Sequence, residues 1–238
     1  MATLHELWPP SAVVARTPRL ELRWPTEHDL AALAELAAHG VHDEGAMPFT
    51  TPWTRGNPAE VARSVLRWTW RTQGAWEPTR WTWPGVAVVE GRVVGTQGVM
   101  ATDFGLCRAV ATGSWLGRAH QGQGLGKEMR AAALHLAFAG LGAERAETGA
   151  YDDNQRSLGV TRSLGYRENG ELLAAVEGRC RRELRFVIDR EAWQARRRDD
   201  IELAGVRAAR SLFGLDDDDA GAATGVADPD VEGVERSG

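Results

Sequence analysis

The sequence predicts an α+β domain in which helices flank a mixed, mostly antiparallel central sheet. Three observations predict it: a meander of β-rich runs, a glycine-rich segment that opens a helix, and the order strand, helix, strand, strand behind that helix. The 238 residues are enough for one ordinary domain with a sizeable core. The glycine-rich segment lies where a central strand meets its helix, which makes it the first candidate for a functional site.

The first predicted elements are a short strand over residues 20–24 and a helix that opens at Thr26. Asp29 follows Thr26 by three residues, which is a capping box with aspartate in place of glutamate, and Gly40 stops the helix. A loop then runs from His39 to Pro58, and its length indicates either a binding loop or a lid.

Periodicity and turn signals predict the remaining elements. Helical spacing returns over residues 57–76, and a tight turn at Glu90 and Gly91 joins the first two of three β-rich runs. The glycine-rich segment begins a helix that extends to about Leu141. The β-rich runs cover residues 81–91, 92–103 and 107–117, and behind the long helix come a strand (143–151), a short helix with an Asp/Asn cap (152–166) and two strands (166–178 and 179–193).

Composition divides the chain into four predicted segments. They are an N-terminal lead-in (1–14), the folded domain (15–190), a basic, amphipathic helical extension (191–214) and a disordered acidic tail (215–238). The net charge of −5 is concentrated in that tail, and without it the body carries about +2. A body with so little charge does not indicate a nucleic-acid partner.

Several classes of protein are not indicated. No run of residues is long and apolar enough for a membrane helix, and the N-terminus does not read as a signal peptide. Cys107 and Cys180 are too few for a disulfide framework, and the six histidines show no metal-binding spacing. We therefore expect a reduced, cytoplasmic protein with no metal and no membrane partner.

The segment QGQGLGKE does not match two common phosphate-binding loops. A P-loop requires glycine where Gln121 stands and serine or threonine where Glu128 stands. A dinucleotide-binding G-x-G-x-x-G requires glycine at Lys127, and the flanking segments are not parallel βαβ repeats. Neither nucleotide site is predicted.

The segment does match the pattern Q-x-x-G-x-G, at Gln121, Gly124 and Gly126. The first N–H groups of a helix have no partner within it, glycines let a ligand approach the backbone, and the helix dipole favours an anion. The pattern therefore predicts a pyrophosphate site, the alternative being a glycine-rich turn that holds no ligand.

Several ordered segments resemble the GNAT N-acyltransferases, in their ribosomal-protein N-terminal acetyltransferase (RimJ/RimL-type) branch. They are TGSWLG, the glycine loop, the helix ending in LHLAF, and a segment in which Asn154, Ser157, Gly165 and Tyr166 match a signature of that branch. The resemblance covers residues 17–188 and implies the GNAT fold. Residues 40–55 and 113–132 are also similar to actinobacterial GNATs, including mycobacterial members described as using succinyl-CoA.

The resemblance implies acetyl-CoA or succinyl-CoA as the acyl donor. The residues that would bind it are Leu116, Gly117, Gln121, Gly122, Gln123, Gly124, Leu125, Gly126, Lys127, Asn154 and Ser157. The backbone around Leu116 would pair with the pantetheine arm and present one N–H to the thioester oxygen. Lys127 would contact the pyrophosphate or stand on a solvated helix face, and Asn154 would contact pantetheine or cap its helix.

The resemblance implies a group for the leaving thiolate but does not identify the general base. Neither Tyr151 nor Tyr166 occupies the position of the tyrosine acid of many GNATs, so the resemblance implies that Ser157 stabilises the leaving thiolate, unless it only caps its helix. The strand ATGSWLG lacks the glutamate that many relatives carry. Asp103 is a candidate base, with Asp152, Asp153, Glu44 and His42 as alternatives.

The function expected from these features is transfer of an acetyl or succinyl group to a primary amine of a protein N-terminus, a lysine or a small molecule. The alternative is a CoA-binding module without catalysis. Five tryptophans would fill the core or form an aromatic wall for the acceptor: Trp68, Trp70, Trp76, Trp81 and Trp83. Exposed tryptophans and the long loop would suit a homodimer.

Overall fold

The computed structural model describes residues 1–216, and within them nine strands form one sheet. The strands are β1 (Val14–Arg16), β2 (Glu21–Arg23), β3 (Arg80–Val89), β4 (Arg92–Thr102), β5 (Ala109–Leu116), β6 (Arg145–Tyr151), β7 (Arg167–Val176), β8 (Arg179–Asp189) and β9 (Glu202–Ala204). The helices are α1 (Leu4–Leu7), α2 (Glu27–Ala38), α3 (Pro58–Gly74), α4 (Phe104–Cys107), α5 (Leu125–His135), α6 (Gln155–Ser163), α7 (Arg190–Gln194) and α8 (Val206–Ala209).

The strand order is β7-β8-β6-β5-β4-β3-β2-β1-β9. Every neighbouring pair is antiparallel except β5 and β6, which are parallel. The predicted α+β class with a mixed, mostly antiparallel sheet is therefore confirmed.

Local signals place the helices as expected. The Thr26 side chain accepts from the Asp29 N–H while the Asp29 carboxylate accepts from the Thr26 N–H, so the capping box forms with aspartate. Asn57 and Glu60 make the same reciprocal pair at the start of α3. Gly40, just past the end of α2, adopts a φ of +109°, a conformation that favours glycine.

The two faces of the sheet carry different helices. On β5, Ser114 lies within hydrogen-bond distance of Arg130 on α5, so the side chains of even-numbered residues face α5. Trp115 faces the other way and packs with the apolar cluster formed by α2, α3 and β3. We call these the α5 face and the α2/α3 face.

The parallel pair β5 and β6 separates along its length. Only Ala109 to Ala111 pair with Arg145 to Glu147, although both strands continue beyond this point. A last side-chain contact, from Thr148 Oγ1 to the carbonyl of Thr112, closes the narrow end. Past it the two strands leave an opening in the sheet, which we call the β5–β6 opening.

The C-terminal part differs from the expected helical extension over residues 191–214. It holds the end of α7, the strand β9, which pairs with β1, and the short α8. Trp76 and Trp81 donate their indole N–H groups to the carbonyls of Leu212 and Phe213, and Phe213 is fully buried. The expectation of a purely helical extension is wrong, because apolar and backbone groups of this segment complete the sheet and the core.

The acidic tail predicted over residues 215–238 lies outside the described residues except at its start. Leu215, the first residue of that predicted segment, is buried. Of the five clustered tryptophans, three fill the core, whereas Trp68 and Trp70 are exposed on α3.

Candidate active site

The glycine loop joins the end of β5 to the start of α5. Gly122 and Gly124 adopt positive φ values of 75° and 79°, where a side chain would be strained. Within the described residues, the N–H groups of residues 122–126 have no acceptor. A row of free backbone donors at a helix N-terminus is an anion site with the charge and spacing that a pyrophosphate needs.

Gln121 holds the loop at three points. Its Nε2 donates to the carbonyl of Leu116 at 2.9 Å and to the carbonyl of Val41 at 2.8 Å, and its Oε1 accepts from Arg156 Nη1 at 2.9 Å. The glutamine thus joins the end of β5, the loop between α2 and α3, and the first turn of α6. All three contacts of the side chain are to protein groups, so Gln121 positions the loop.

Two arginines line a cleft beside the loop. Arg118 and Arg156 form its walls together with Asp43, Gln121 and Gly122. The Arg118 side chain is more than half exposed, and its nearest acid is Asp43 at 3.6 Å. A pyrophosphate at the loop would therefore meet two guanidinium groups, which bind phosphate oxygens well.

The other residues near the glycine loop differ in their contacts within the protein. The Gly117 N–H donates to the carbonyl of Val94 and its carbonyl accepts from the N–H of His120, so its role as a ligand contact stays a prediction. Its lack of a side chain has a packing reason, because a Cβ there would overlap Leu36. Gln123 donates from Nε2 to the carbonyl of Ala119, and Lys127 is exposed on α5.

Leu116 has its backbone on the open edge of β5. The N–H of Gly117 points to β4. The backbone groups of successive residues point to alternate edges of a strand, so the N–H and carbonyl groups of Leu116 and Ser114 point to the β5–β6 opening. The Gln121 contact to the carbonyl of Leu116 agrees with this. The N–H groups of Ser114 and Leu116 are thus the donors that an extended ligand in the opening would meet.

Ser157 lies on the opposite wall of the opening, in the first turn of α6. The Asn154 side chain caps the helix by accepting from the Ser157 N–H at 3.2 Å, so the cap does not use the serine hydroxyl. Thr161, one turn later on the same face of α6, contacts Arg130 at 3.0 Å. Ser157 therefore points toward the α5 face of the opening, with its hydroxyl unpaired among the described residues.

Arg130 is a buried cation behind the opening. Its guanidinium donates to Thr161 Oγ1 and, at 3.2 Å, to Ser114 Oγ, which links α6 to β5 across the gap. Burial lowers the pKa of Arg130, and burial raises the pKa of the neighbouring Tyr166. The sequence offered no signal for this residue, because arginine in a helix is ordinarily exposed.

Asp103 does not belong to this site. It follows β4 next to the start of β5, whereas Leu116 ends β5 seven residues further on, about 24 Å away for an extended strand. The geometry does not support Asp103 as a base at this opening, because Asp103 and Leu116 lie at opposite ends of the same strand pair.

Three of the four alternative bases contact other partners. Asp153 accepts two bonds from Arg181, and Asp152 accepts one from Arg182. His42 contacts Thr54 Oγ1 at 2.7 Å within the loop between α2 and α3.

The loop between α2 and α3 covers the α2/α3 face of the opening. Phe49, Trp53 and Trp115 pack in a chain, with ring centroids 5.0 and 5.6 Å apart. Arg55 of this loop donates two hydrogen bonds to Glu177, at the tip of the β7–β8 hairpin. These bonds join the loop to the far side of the opening. These three aromatic residues differ from the five clustered tryptophans, and an aromatic wall for an acceptor stays a prediction.

Beyond this cover the α2/α3 face carries an open groove. Its floor lies on β3 to β6 and includes Thr82, Met100, Ala111 and Glu147. In the described part of the chain, no group of three or more His, Cys, Asp or Glu side chains is placed to hold a metal ion. None of the helices in residues 1–216 has the length and apolar character to cross a membrane.

Comparisons with known proteins agree with this geometry. The family model described as an acetyltransferase (GNAT) domain matches residues 19–167. Among solved structures, Mycobacterium smegmatis RimJ in complex with CoA-disulfide is 23% identical, with a TM-score of 0.63 over 76% of this chain and 88% of that chain.

Two further structures share the fold. RimL, a ribosomal L7/L12 alpha-N-protein acetyltransferase in complex with coenzyme A, is 20% identical, with a TM-score of 0.55 over 74% of this chain and 97% of that chain. A GCN5-related N-acetyltransferase from Brucella melitensis is 19% identical, with a TM-score of 0.60 over 76% of this chain and 80% of that chain.

Proposed function

Because the chain belongs to the GNAT acetyltransferase family and is an acyltransferase, we propose that it transfers an acetyl group from acetyl-CoA to a primary amine on a protein. The observation that carries the proposal is the β5–β6 opening. Free N–H groups of β5 line one edge, and the free N–H groups of the glycine loop stand at its mouth. An extended chain that ends in a pyrophosphate matches this arrangement.

The donor would lie along the open edge of β5. The loop N–H groups with Arg118 and Arg156 would hold its pyrophosphate, and the N–H of Ser114 or Leu116 would polarise the thioester carbonyl. The Ser157 hydroxyl faces the same opening and would donate to the sulfur as it leaves. Because the Ser157 hydroxyl stands on the α5 side of the donor, the amine would approach from the opposite, α2/α3 face.

The charges on the α2/α3 face favour an acetyl over a succinyl donor. A succinyl group carries a carboxylate that needs a cation or several N–H groups once it is buried. On this face of β6 and β8, Arg145, Arg181 and Arg185 are already paired with Glu147, Asp153 and Glu183, and Arg179 lies beside the β7–β8 turn. A second carboxylate would disrupt those pairs, so we propose acetyl-CoA as the preferred donor and succinyl-CoA as the weaker one.

A protein amine is the acceptor that best fits the groove. The solved structures of similar fold include a ribosomal L7/L12 alpha-N-protein acetyltransferase. In this chain the open groove on the α2/α3 face lies over the paired starts of β5 and β6, next to the narrow end of the opening. A peptide whose amine enters the opening would have room to run along this groove, whereas a small amine would leave the groove empty.

Mass spectrometry of acylated products tests donor and acceptor together. The wild-type chain is incubated with acetyl-CoA or succinyl-CoA and with a peptide with a free N-terminus, an N-terminally blocked lysine peptide, or a polyamine. We expect acetylation of the free N-terminus to be fastest. If no amine is acylated while CoA still stabilises the protein, the proposal fails and the chain is a CoA-binding module.

A homodimer and a cytoplasmic location stay predictions. Trp68 and Trp70 are 38% and 56% exposed on the same helix, as a dimer surface would require. Sedimentation of the wild type and of a Trp70→Ser variant checks the oligomeric state.

A further inference from the structure

The β6 side of the β5–β6 opening carries an acidic side chain that the sequence did not single out. Glu183 lies on β8, where it pairs with Tyr151 of β6. Ala111 of β5 lies on the α2/α3 face and pairs with Glu147 of β6, so the side chains of Glu147 and Tyr151 lie on this face, as does the position of Gly149. Glu183 pairs with Tyr151 and therefore lies on the same face. This is the face from which the acceptor amine would approach in the proposed function.

Gly149 leaves room for this carboxylate beside the opening. A Cβ on Gly149 would overlap the Glu183 Oε1, so the acid occupies the space that a side chain on β6 would fill. In the parallel register, Gly149 lies level with Gly113 of β5, next to Ser114. The carboxylate therefore lies at the depth of the β5 N–H groups that would hold the thioester.

Arg185 fixes the direction of the acid. Its Nη1 donates to Glu183 Oε1 at 3.2 Å, and its Nη2 lies 3.8 Å from Glu147 Oε2. The Glu183 side chain is only 18% exposed. Its second oxygen, Oε2, has no donor among the described residues, so one oxygen of an oriented, largely buried carboxylate is free for a ligand.

We propose that Glu183 is the catalytic residue that binds the acceptor ammonium and removes its proton. This inference rests on the proposed acyl transfer. One N–H proton moves from the ammonium to the Glu183 carboxylate, and the neutral nitrogen then forms a bond to the thioester carbon. The carbon–sulfur bond breaks with its electron pair on sulfur. The second N–H proton moves to that sulfur by way of the Ser157 hydroxyl, and Glu183 returns its proton to water.

The test compares acceptors that differ in the need for deprotonation. With acetyl-CoA and a peptide N-terminus, Glu183→Gln should lower kcat by about 100-fold or more, because a general base typically contributes 10²–10⁴-fold. With hydroxylamine, which is largely neutral at pH 7, the same variant should stay within about fivefold of wild type. The Kd for CoA, measured by calorimetry, should not change. Glu202→Gln, on the distant strand β9, is the matched control and should behave as wild type.

A second variant covers the case in which Glu183→Gln does not fold. Gly149→Ala keeps the carboxylate but displaces it, and it should show the same loss with the peptide and the same retention with hydroxylamine. An equal loss with both acceptors would mean a structural role, and no loss with either would mean that another group takes the proton. Both results overturn the inference. Absence of turnover by the wild type would instead overturn the proposed acyl transfer itself.

Discussion

The side-chain amide of Gln121 donates to the carbonyl of Leu116 at 2.9 Å, which ties the glycine loop to the strand whose open edge would hold the acyl donor. The same side chain also donates to Val41 and accepts from Arg156. Gln121→Ala should therefore loosen the loop and raise the Kd for CoA by about tenfold, the effect of losing one or two hydrogen bonds. Calorimetric titration measures this, and an unchanged Kd would show that the loop holds its shape without Gln121.

Arg118 and Arg156 should contribute charge to pyrophosphate binding. Arg118→Ala and Arg156→Ala should each raise the Kd for CoA by about 10- to 100-fold, because each removes a charge-assisted hydrogen bond. Binding of pantetheine, which lacks the pyrophosphate, should be unaffected. Arg92→Ala, at the β3–β4 turn, is the matched control. Equal losses for CoA and pantetheine would contradict a pyrophosphate contact.

Ser157 should act in the chemical step rather than in binding. Ser157→Ala should lower kcat by about 10-fold or more, since a hydrogen bond to a charged group contributes about 1.5–3 kcal/mol. The Asn154 cap remains, because it uses the backbone of residue 157. Steady-state kinetics with a peptide acceptor and calorimetry with CoA separate the two effects. A variant with normal kcat would leave Ser157 as a helix residue only.

The buried Arg130 makes Thr161 important for stability. Thr161→Val keeps the shape of the side chain but leaves a buried guanidinium donor unsatisfied, so the free energy of unfolding should fall by about 1–3 kcal/mol. Urea denaturation measures the change. Thr72→Val removes a hydroxyl that donates only to carbonyls of α3 itself and leaves no buried cation unpaired, so it should change the stability by no more than about 0.5 kcal/mol.

Protonation of Glu128 at low pH should lower the free energy of unfolding. Burial alone would raise the pKa of Glu128, but hydrogen bonds from Thr17 and Arg19 outweigh it and lower the pKa below its usual 4.5. A lowered pKa in the folded state gives stability that is complete above pH 4.5 and is lost as the pH falls through the folded pKa. Glu128→Gln should flatten this part of the curve of unfolding free energy against pH. A curve that keeps the wild-type slope would show that other groups govern acid unfolding.

Local features of the fold were predictable from the sequence, and long-range ones were not. The capping pair of Thr26 and Asp29 and the helix start at the glycine loop depend on residues a few positions apart, so spacing reveals them. The strand β9 has three residues and pairs with β1, almost two hundred positions earlier, so no local pattern marks it. The same limit applies to the burial of Phe213.

The site was predictable only in part for the same reason. The loop and Ser157 belong to contiguous motifs. Arg118 and Arg156 come from separate elements and meet in one cleft, and Glu183 reaches the opening only because Gly149 lies on the neighbouring strand. Asp103 follows β4 and precedes β5, so it lies at the end of this strand pair opposite to the glycine loop.

A crystal structure with bound acetyl-CoA tests the central claim most directly. We expect the pyrophosphate on the N–H groups of residues 122–126, and the thioester oxygen about 2.7–3.2 Å from the N–H of Ser114 or Leu116. Acetyl-CoA bound elsewhere, with the β5–β6 opening empty or closed by strand pairing, would contradict the assignment of this opening as the acyl-transfer site.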